Sequence, residues 1–393
     1  MMPSDRRCRI LHIVANYPDG VFRQNTTDAV KNLLEETSES LDHYVVSISR
    51  TLNPLNEYVV RGNNTTSVSY FGLPAAIGQS FLLRRLARRI KRELDDIELG
   101  YDIIHGHKLT VEALVAYYLT IKSEKPYVCT VRGLTDDRIM RWRPDRRGLY
   151  AKVLKKALVV FLPAPWTERL IKEYLNPVDE EWHSNISYSV LPNIVNFTRV
   201  DNTEPRTYKP KFVTVFREGH GKRKGFRELL NGLVSGKAKN QIILLDVIGC
   251  SAESEEAQWV KELGLTDQVS FLGKLENTET VKRMAQYRGF LLPTRYDTFG
   301  MVYTEALLAG VPVLYSGDTG IDGYLDELDV GVRVDPFDQT SINNGILKFN
   351  QIADELRDRL KIYLEEGRFD FFHQASIVSK YCQAIESCLE KCE

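Results

Sequence analysis

The stretch PTRYDTFGMVYTEALLAGVPVLY, Pro293 to Tyr315, reads as the exit from a strand, a loop, a short helix and the entry to another strand. Apolar runs at 289–292 and from Val311 frame it, as in one turn of a parallel sheet wrapped by helices. Asp297 lies in the loop, Thr298 is placed as an N-cap, Met301 is a candidate ligand contact, and Glu305 falls between one and two turns into the helix. Two acids eight positions apart would bracket a ligand resting on the helix N-terminus, whose unpaired N–H groups and dipole favour a diphosphate. Phe299 and Gly300 would let the backbone approach closely. Taken alone, the same pair also fits a turn aspartate and a solvated helix glutamate.

Moving outward, short apolar runs alternate with longer amphipathic stretches along the whole chain, which predicts an α/β architecture. Candidate strands before residue 200 are Arg9 to Asn16, Tyr44 to Ser49, Tyr101 to His105, Tyr127 to Val131, Leu158 to Leu162 and Ser187 to Leu191. Helical stretches fall near 25–40, 80–97, 109–123, 149–157 and 164–175. The polar segment NFTRVDNTEPRTYKPK (196–211) reads as an interdomain linker. Beyond it the pattern restarts with strands at Lys211 to Phe216, Ile242 to Ile248, Val269 to Leu272, Gly289 to Leu292, Val311 to Tyr315 and Val330 to Val334.

A chain of 393 residues exceeds the roughly 250 to 300 at which one hydrophobic core stops growing. Two doubly wound, Rossmann-like domains are expected, 1–200 and 201–393, facing one another across a cleft at the carboxyl ends of their sheets. A terminal helix over about 372–391, with Ile377, Tyr381, Ile385 and Leu389 on one face, is placed to pack back on the first domain.

Composition narrows the function. No apolar run approaches the roughly 18 residues of a membrane span, and the opening MMPSDRRCRILHIVANYP lacks the cleavage pattern of an export signal, so a cytoplasmic protein is expected. Six cysteines without CxxC or a zinc-like Cys/His spacing argue against a disulfide framework or structural metal. Cys129 and Cys250 sit in core-like strands; Cys382, Cys388 and Cys392 lie on the terminal helix. The net charge of −1 divides into +5 over residues 1–200 and −6 over the remainder, which directs attention to the first half for anionic partners. There, SFLLRRLARRIKRELDD carries Arg88 and Arg89 on an amphipathic basic helix, and a second cluster holds Arg138 and Arg141 with Trp142 among them. Either a solvated face or a peripheral contact with anionic lipid at the inner face of the membrane fits these runs. No nucleic-acid motif accompanies them, so nucleic acid is not expected as a partner.

With these residues in view, Pro293 to Tyr315 resembles the signature of glycosyltransferase family four (group 1), retaining enzymes of the GT-B fold. The resemblance implies that Glu305 holds the ribose hydroxyls of a nucleotide and that Asp297, where Glu is usual, contacts the donor sugar. FVTVFREGHGKRKGFRELLNGL, Phe212 to Leu233, is similar to the family's strand, Arg and Lys-Gly helix start. Arg217 and Lys224 thereby take the positions of the pair that neutralises the diphosphate. The loop is a residue or two longer than the family's, so Lys222 is an alternative to Lys224. VSFLGKLENTETVKRMAQYRGFLLPT (269–294) matches the family's "FLG" strand, which puts Lys274 near the base. YSGDTGIDGYLDE (315–327) stands where the family has a Gly-rich turn and is read only as a tight turn.

In the first half RILHIVANYPDGVFRQNT (9–26) resembles the family's opening strand and loop, with Gly20 as the glycine that approaches the donor phosphate. YDIIHGHKLTVEALVAYYL (101–119) and KPYVCTVRGL (125–134) resemble its His-bearing strands; His105 and His107 match, His107 becomes a catalytic candidate, and Arg132 replaces the later His. Guanidinium stays protonated, so Arg132 cannot act as a base and is assigned to phosphate or carboxylate binding.

The resemblance implies transfer of a sugar from a nucleoside diphosphate donor, UDP by family frequency, to a glycan or lipid-linked acceptor hydroxyl, with the acceptor on the first domain and the donor on the second. It implies cell-surface polysaccharide or glycolipid assembly and requires no metal; the Asp-rich stretches LDELD and VDPFD are not spaced like a metal site. A sugar-nucleotide epimerase or phosphorylase of the same fold, and a non-catalytic glycosyltransferase-like binding subunit, are the competing readings.

Overall fold

The computed structural model describes residues 7–15, 17–21, 28–176, 185–195 and 208–392. The end of the first expected strand (residue 16), the start of the first helix (25–27) and the linker over 196–207 lie outside the described residues.

The chain forms two compact units. One runs up to Pro163 and adds Thr167–Ile194 and the residues from His373 onward; the other is Val195–Phe372 with Ala164–Trp166. The terminal helix therefore belongs to the first unit.

In the first unit the strands are β1 (Arg9–Ala15), β2 (Asp42–Thr51), β3 (Val59–Arg61), β4 (Thr65–Phe71), β5 (Ile103–Gly106), β6 (Tyr127–Thr130), β7 (Val160–Leu162) and β8 (Tyr188–Val190). They pair in the order β3-β4-β2-β1-β5-β6-β7-β8, all parallel except β3 against β4. The helices are α1 (Asp28–Thr37), α2 (Gln79–Asp96), α3 (Leu114–Ser123), α4 (Gly133–Trp142), α5 (Arg147–Lys156) and α6 (Trp166–Leu175), with a π-turn over Leu109–Ala113. One face of the sheet packs on α2, α3 and α5, and the other on α1 and the terminal helix.

Burial on both faces explains the unbroken apolar character of RILHIVA in β1. In α2, Leu83, Leu86, Ala87, Ile90 and Leu94 recur at helical spacing and are all in the core, each large one contributing about 1.5–3 kcal/mol. The apolar stripe of this helix is occupied by its own domain.

The second unit holds β9 (Lys209–Val215), β10 (Leu245–Ile248), β11 (Val269–Phe271), β12 (Tyr287–Leu291), β13 (Val313–Ser316) and β14 (Gly331–Val334), in the order β11-β10-β9-β12-β13-β14 and all parallel. Its helices are α7 (Phe226–Ala238), α8 (Glu255–Glu262), α9 (Asn277–Met284), α10 (Met301–Leu308) and α11 (Gln339–Glu365); α12 (Gln374–Glu390) follows in the first unit. Both units are doubly wound and Rossmann-like, as the apolar periodicity predicts. Among the described residues no helix is long and apolar enough to cross a membrane.

The sequence reading omits β3, β4 and α4. The hairpin segment YVVRGNNTTSVSYF is rich in Ser and Thr, whose burial in β4 depends on pairing with β2 rather than on their own hydrophobicity.

Candidate functional site

In the second unit β9 and β12 are neighbours, yet the strand order runs away from them in opposite directions. Ligands of open α/β sheets bind outside the carboxyl ends of the strands at such a reversal. The loops after β9 and β12 both emerge there, and they carry Arg217 to Gly225 and Pro293 to Gly300.

The two loops are fastened together. The Arg295 N–H donates to the Arg223 carbonyl at 3.0 Å, and Gly225 caps α7 at φ 67°, where a Cβ would lie 1.9 Å from the Pro293 carbonyl oxygen. Only glycine tolerates both the left-handed backbone and that approach. Lys224, the residue before it, is buried and ion-paired to Asp297 Oδ2.

Lys222 turns the other way: its side chain is 78% exposed, 3.3 Å from Glu255 and over the Trp259 ring. Arg217 is exposed at the β9 exit. Burial, and then Arg223, Arg217 and Lys224, push the His220 imidazole below its usual range, a sign of positive potential concentrated on this loop.

Glu256 holds the loop in shape. Its carboxylate is 1% exposed at the start of α8, and Oε1 accepts from the N–H of Gly219 at 3.0 Å and of Gly221 at 2.9 Å.

Asp297 is gripped from the backbone as well. Its N–H donates to Thr319 Oγ1 at 2.7 Å, while the Thr319 hydroxyl and the Gly320 N–H return to its carbonyl, each at 2.9 Å. The turn at 315–327 thus clasps the acid loop. Helix α10 starts at Met301 with Gly300 as its N-cap at φ 72° and no side-chain cap, which corrects the placement of Thr298 as the cap: Thr298 lies two residues too early. The Phe299 ring is core, edge-on to Tyr324 and Phe372.

Glu305 is not a solvated helix acid. It is 6% exposed, and burial raises its carboxyl above the usual range, partly offset by a hydrogen bond with the Asn277 side chain. Lys274 is exposed just beyond β11, after Gly273.

The first unit has its own reversal between β1 and β5. Gly20 follows β1 in a loop where Asp19 accepts from the Ser67 hydroxyl at 2.5 Å. His105 and His107 end and follow β5, fully buried, with ring centroids 3.8 Å apart. His12 of β1 joins them, and one nitrogen from each of His12, His105 and His107 lies within 4.8 Å of the others. Hydrogen bonds already occupy five of these six ring nitrogens: His12 to His107 and His43, and His105 to Tyr381 and Thr130. A metal there would have to displace them.

Arg132 caps α4 beyond β6. It is half-buried, with Nη1 donating to Asn193 Oδ1 at 2.7 Å, and desolvation lowers its guanidinium to about 10. Asp136, pushed up to about 6 by burial, accepts from the N–H groups of Leu109 and Thr110.

The other basic candidates do not join Arg132. Arg88 is exposed on α2, and Arg89 donates to the Ser69 carbonyl at 3.2 Å beside Glu57. Arg138 is exposed on α4, and Arg141 bonds Tyr174 at 3.1 Å and faces Asp137. Partners on the same domain neutralise much of the positive run.

Sequence reasoning brings together Arg217, Lys224, Asp297 and Glu305 and misses Glu256, Thr319, His12 and Glu112. Only a histidine inside an otherwise apolar first strand offers a signal for the last group.

Residues 200–366 match the family model described as glycosyl transferases group 1, and residues 29–184 match that described as glycosyltransferase family 4. Phosphatidyl-myo-inositol mannosyltransferase of Mycobacterium leprae is 24% identical over 344 residues, spanning 84% of this chain and 85% of that protein. Among solved structures, sucrose-phosphate synthase from Thermosynechococcus elongatus superposes with a TM-score of 0.67 at 17% identity, covering 97% and 99% of the two chains. The E. coli trehalose-6-phosphate structure bound with UDP-2-fluoro glucose gives 0.62 at 12% identity, covering 95% and 99%. These likenesses establish the shared GT-B fold.

Proposed function

Since the chain belongs to the group 1 glycosyltransferases, we propose that it moves a sugar from a nucleoside diphosphate donor to an acceptor hydroxyl with retention at the anomeric carbon. UDP is the favoured carrier and a lipid-linked or glycan acceptor the favoured partner. The observation that carries this reading is the fastening of the Arg217–Gly225 loop to the Asp297 loop at the strand-order reversal, with the buried Glu305 behind it.

As the bond from the anomeric carbon to the β-phosphate oxygen breaks, negative charge builds on the diphosphate. Arg217 and Lys224 stabilise that charge, and the buried setting of Lys224 strengthens its effect. The acceptor oxygen forms the new bond on the same face, and its proton passes to the departing diphosphate. Glu305, whose side chain has no cation partner among the described residues, takes the ribose hydroxyls as hydrogen-bond donors. The first unit carries the acceptor. The UDP-sugar analogue in the E. coli relative and the lipid in the name of the mycobacterial relative support donor and acceptor class respectively.

Calorimetry with UDP, GDP and ADP on the wild type and on Lys224→Met and Glu305→Ala tests the assignment. A UDP affinity reduced at least about 10-fold in each variant is expected, from loss of a charge-assisted contact worth about 1.5–3 kcal/mol. No nucleotide binding, or binding indifferent to both changes, sinks it. Release of UDP from a UDP-sugar only when an acceptor is supplied separates transfer from epimerisation.

A further inference from the structure

A line of side chains crosses the α1 and α12 face of the first sheet. The Thr37 hydroxyl donates to the Leu33 carbonyl at 2.7 Å, so its oxygen accepts from His43 Nε2 at 2.9 Å. His43 Nδ1 is 3.0 Å from His12 Nε2, and His12 Nδ1 is 2.9 Å from His107 Nε2. His107 Nδ1, at the far end, is buried with no partner among the described residues.

The direction of this line is set by proton counting. A neutral imidazole has one N–H and one lone pair. Burial lowers all three histidines, His43 to about 4, and each is close to another imidazole, so they are neutral near pH 7. With the Thr37 proton committed to Leu33, His43 must donate from Nε2 and accept at Nδ1. His12 then donates from Nε2, and so does His107. The row ends in a bare lone pair on His107 Nδ1.

Two more buried polar atoms near this end of β1 and β5 lack partners among the described residues: Glu112 Oε2 and Arg132 Nε. Glu112 Oε1 accepts from the Ala15 N–H at 3.1 Å at the end of β1, and Arg132 is close enough to bear electrostatically on both His107 and Glu112. Buried polar atoms without partners are rare in native proteins and are costly unless something completes them. Two of these three atoms are acceptors, which hydroxyl protons satisfy and an anion does not; the Glu112 carboxylate is shared between Arg132 and Lys108, whose Nζ lies 3.4 Å from Oε1.

We propose that the Thr37–His43–His12 row exists to present the His107 Nδ1 lone pair to a hydroxyl of an uncharged polyol portion of the acceptor, with Glu112 and Arg132 completing the subsite. His107 is then a binding residue, and His12 and His43 are positioning residues. This rests on the reading of the first unit as the acceptor domain. It also replaces the expectation that Arg132 receives phosphate.

The test is long-range proton–nitrogen NMR of the full chain labelled with ¹⁵N-histidine, assigned by single histidine substitutions. The expected result is the Nε2–H tautomer at His43, His12 and His107 alike. Addition of methyl α-D-mannoside or myo-inositol should shift the bare His107 Nδ1 signal toward its hydrogen-bonded position, and inorganic phosphate should not. In His43→Phe the His107 signal should divide between two tautomers. An Nδ1–H form of His107 in the wild type, a response to phosphate alone, no response to either polyol, or zinc retained with loss of the His12 and His107 N–H signals would overturn the proposal. Failure of the second unit to bind any nucleotide would instead remove the transferase reading and leave the tautomer result standing.

Discussion

Gly225 and Pro293 stand in a contact that no side chain can enter: a Cβ on Gly225 would sit 1.9 Å from the Pro293 carbonyl oxygen. This contact brings the end of the Arg217–Gly225 loop onto the start of the Pro293–Gly300 loop, where Lys224 pairs with Asp297.

Gly225→Ala should therefore cost more than the roughly 1 kcal/mol of an ordinary left-handed glycine replacement, about 3 kcal/mol once the clash is included. Thermal unfolding measures the loss. UDP affinity should fall along with stability because Lys224 and Asp297 separate. A variant with wild-type stability and affinity would show that the two loops are not coupled through this point.

Glu256 offers a different route to the same loop. Glu256→Ala leaves the N–H groups of Gly219 and Gly221 without their acceptor, at about 1–3 kcal/mol for the buried Gly221 N–H and less for the exposed Gly219, which water can reach. Glu256→Gln keeps a carbonyl oxygen in place. Donor KM is expected to rise in the alanine variant, to recover in the glutamine variant, and acceptor KM to stay constant in both. Equal damage from the two substitutions would mean that charge rather than acceptor geometry matters.

Glu305 predicts a pH dependence. Its folded pKa is raised by burial, so the folded state carries a penalty that is absent below the unfolded pKa and is fully present once pH exceeds the folded value. Glu305→Gln should stabilise the ligand-free protein at pH 7 and leave stability unchanged at low pH. For binding the sign reverses, because the carboxylate accepts from ribose hydroxyls and its protonated form accepts less well. UDP affinity should decline on acidification at a pH above the usual carboxylate range, and the decline should be smaller in Glu305→Gln, where only protonation of the UDP phosphate at about pH 6 remains. Calorimetric titration across pH 4–8 reads both.

The linear chain was enough to reveal two doubly wound domains, because strands buried on both faces must be apolar throughout and the helices between them must be apolar on one side. The spacing of Asp297 and Glu305, with Arg217 and Lys224 upstream, was legible for the same reason: each lies at a strand exit or helix start that local sequence marks.

What required the tertiary structure was partnership across sequence distance. The Lys-Gly at the helix start favours Lys224 and leaves Lys222 open; the pairing of Lys224 with Asp297, 73 residues away, appears only in the fold. Glu256 looks like any acid in a first helical turn, yet it closes the loop at Gly219 and Gly221. His43, His12 and His107 lie on separate strands and loops, and only strand order sets them in a row. Local patterning follows from backbone periodicity and burial; the polarity of a hydrogen-bond chain and the choice between two lysines follow from which atoms the sheet brings within 3 Å of one another.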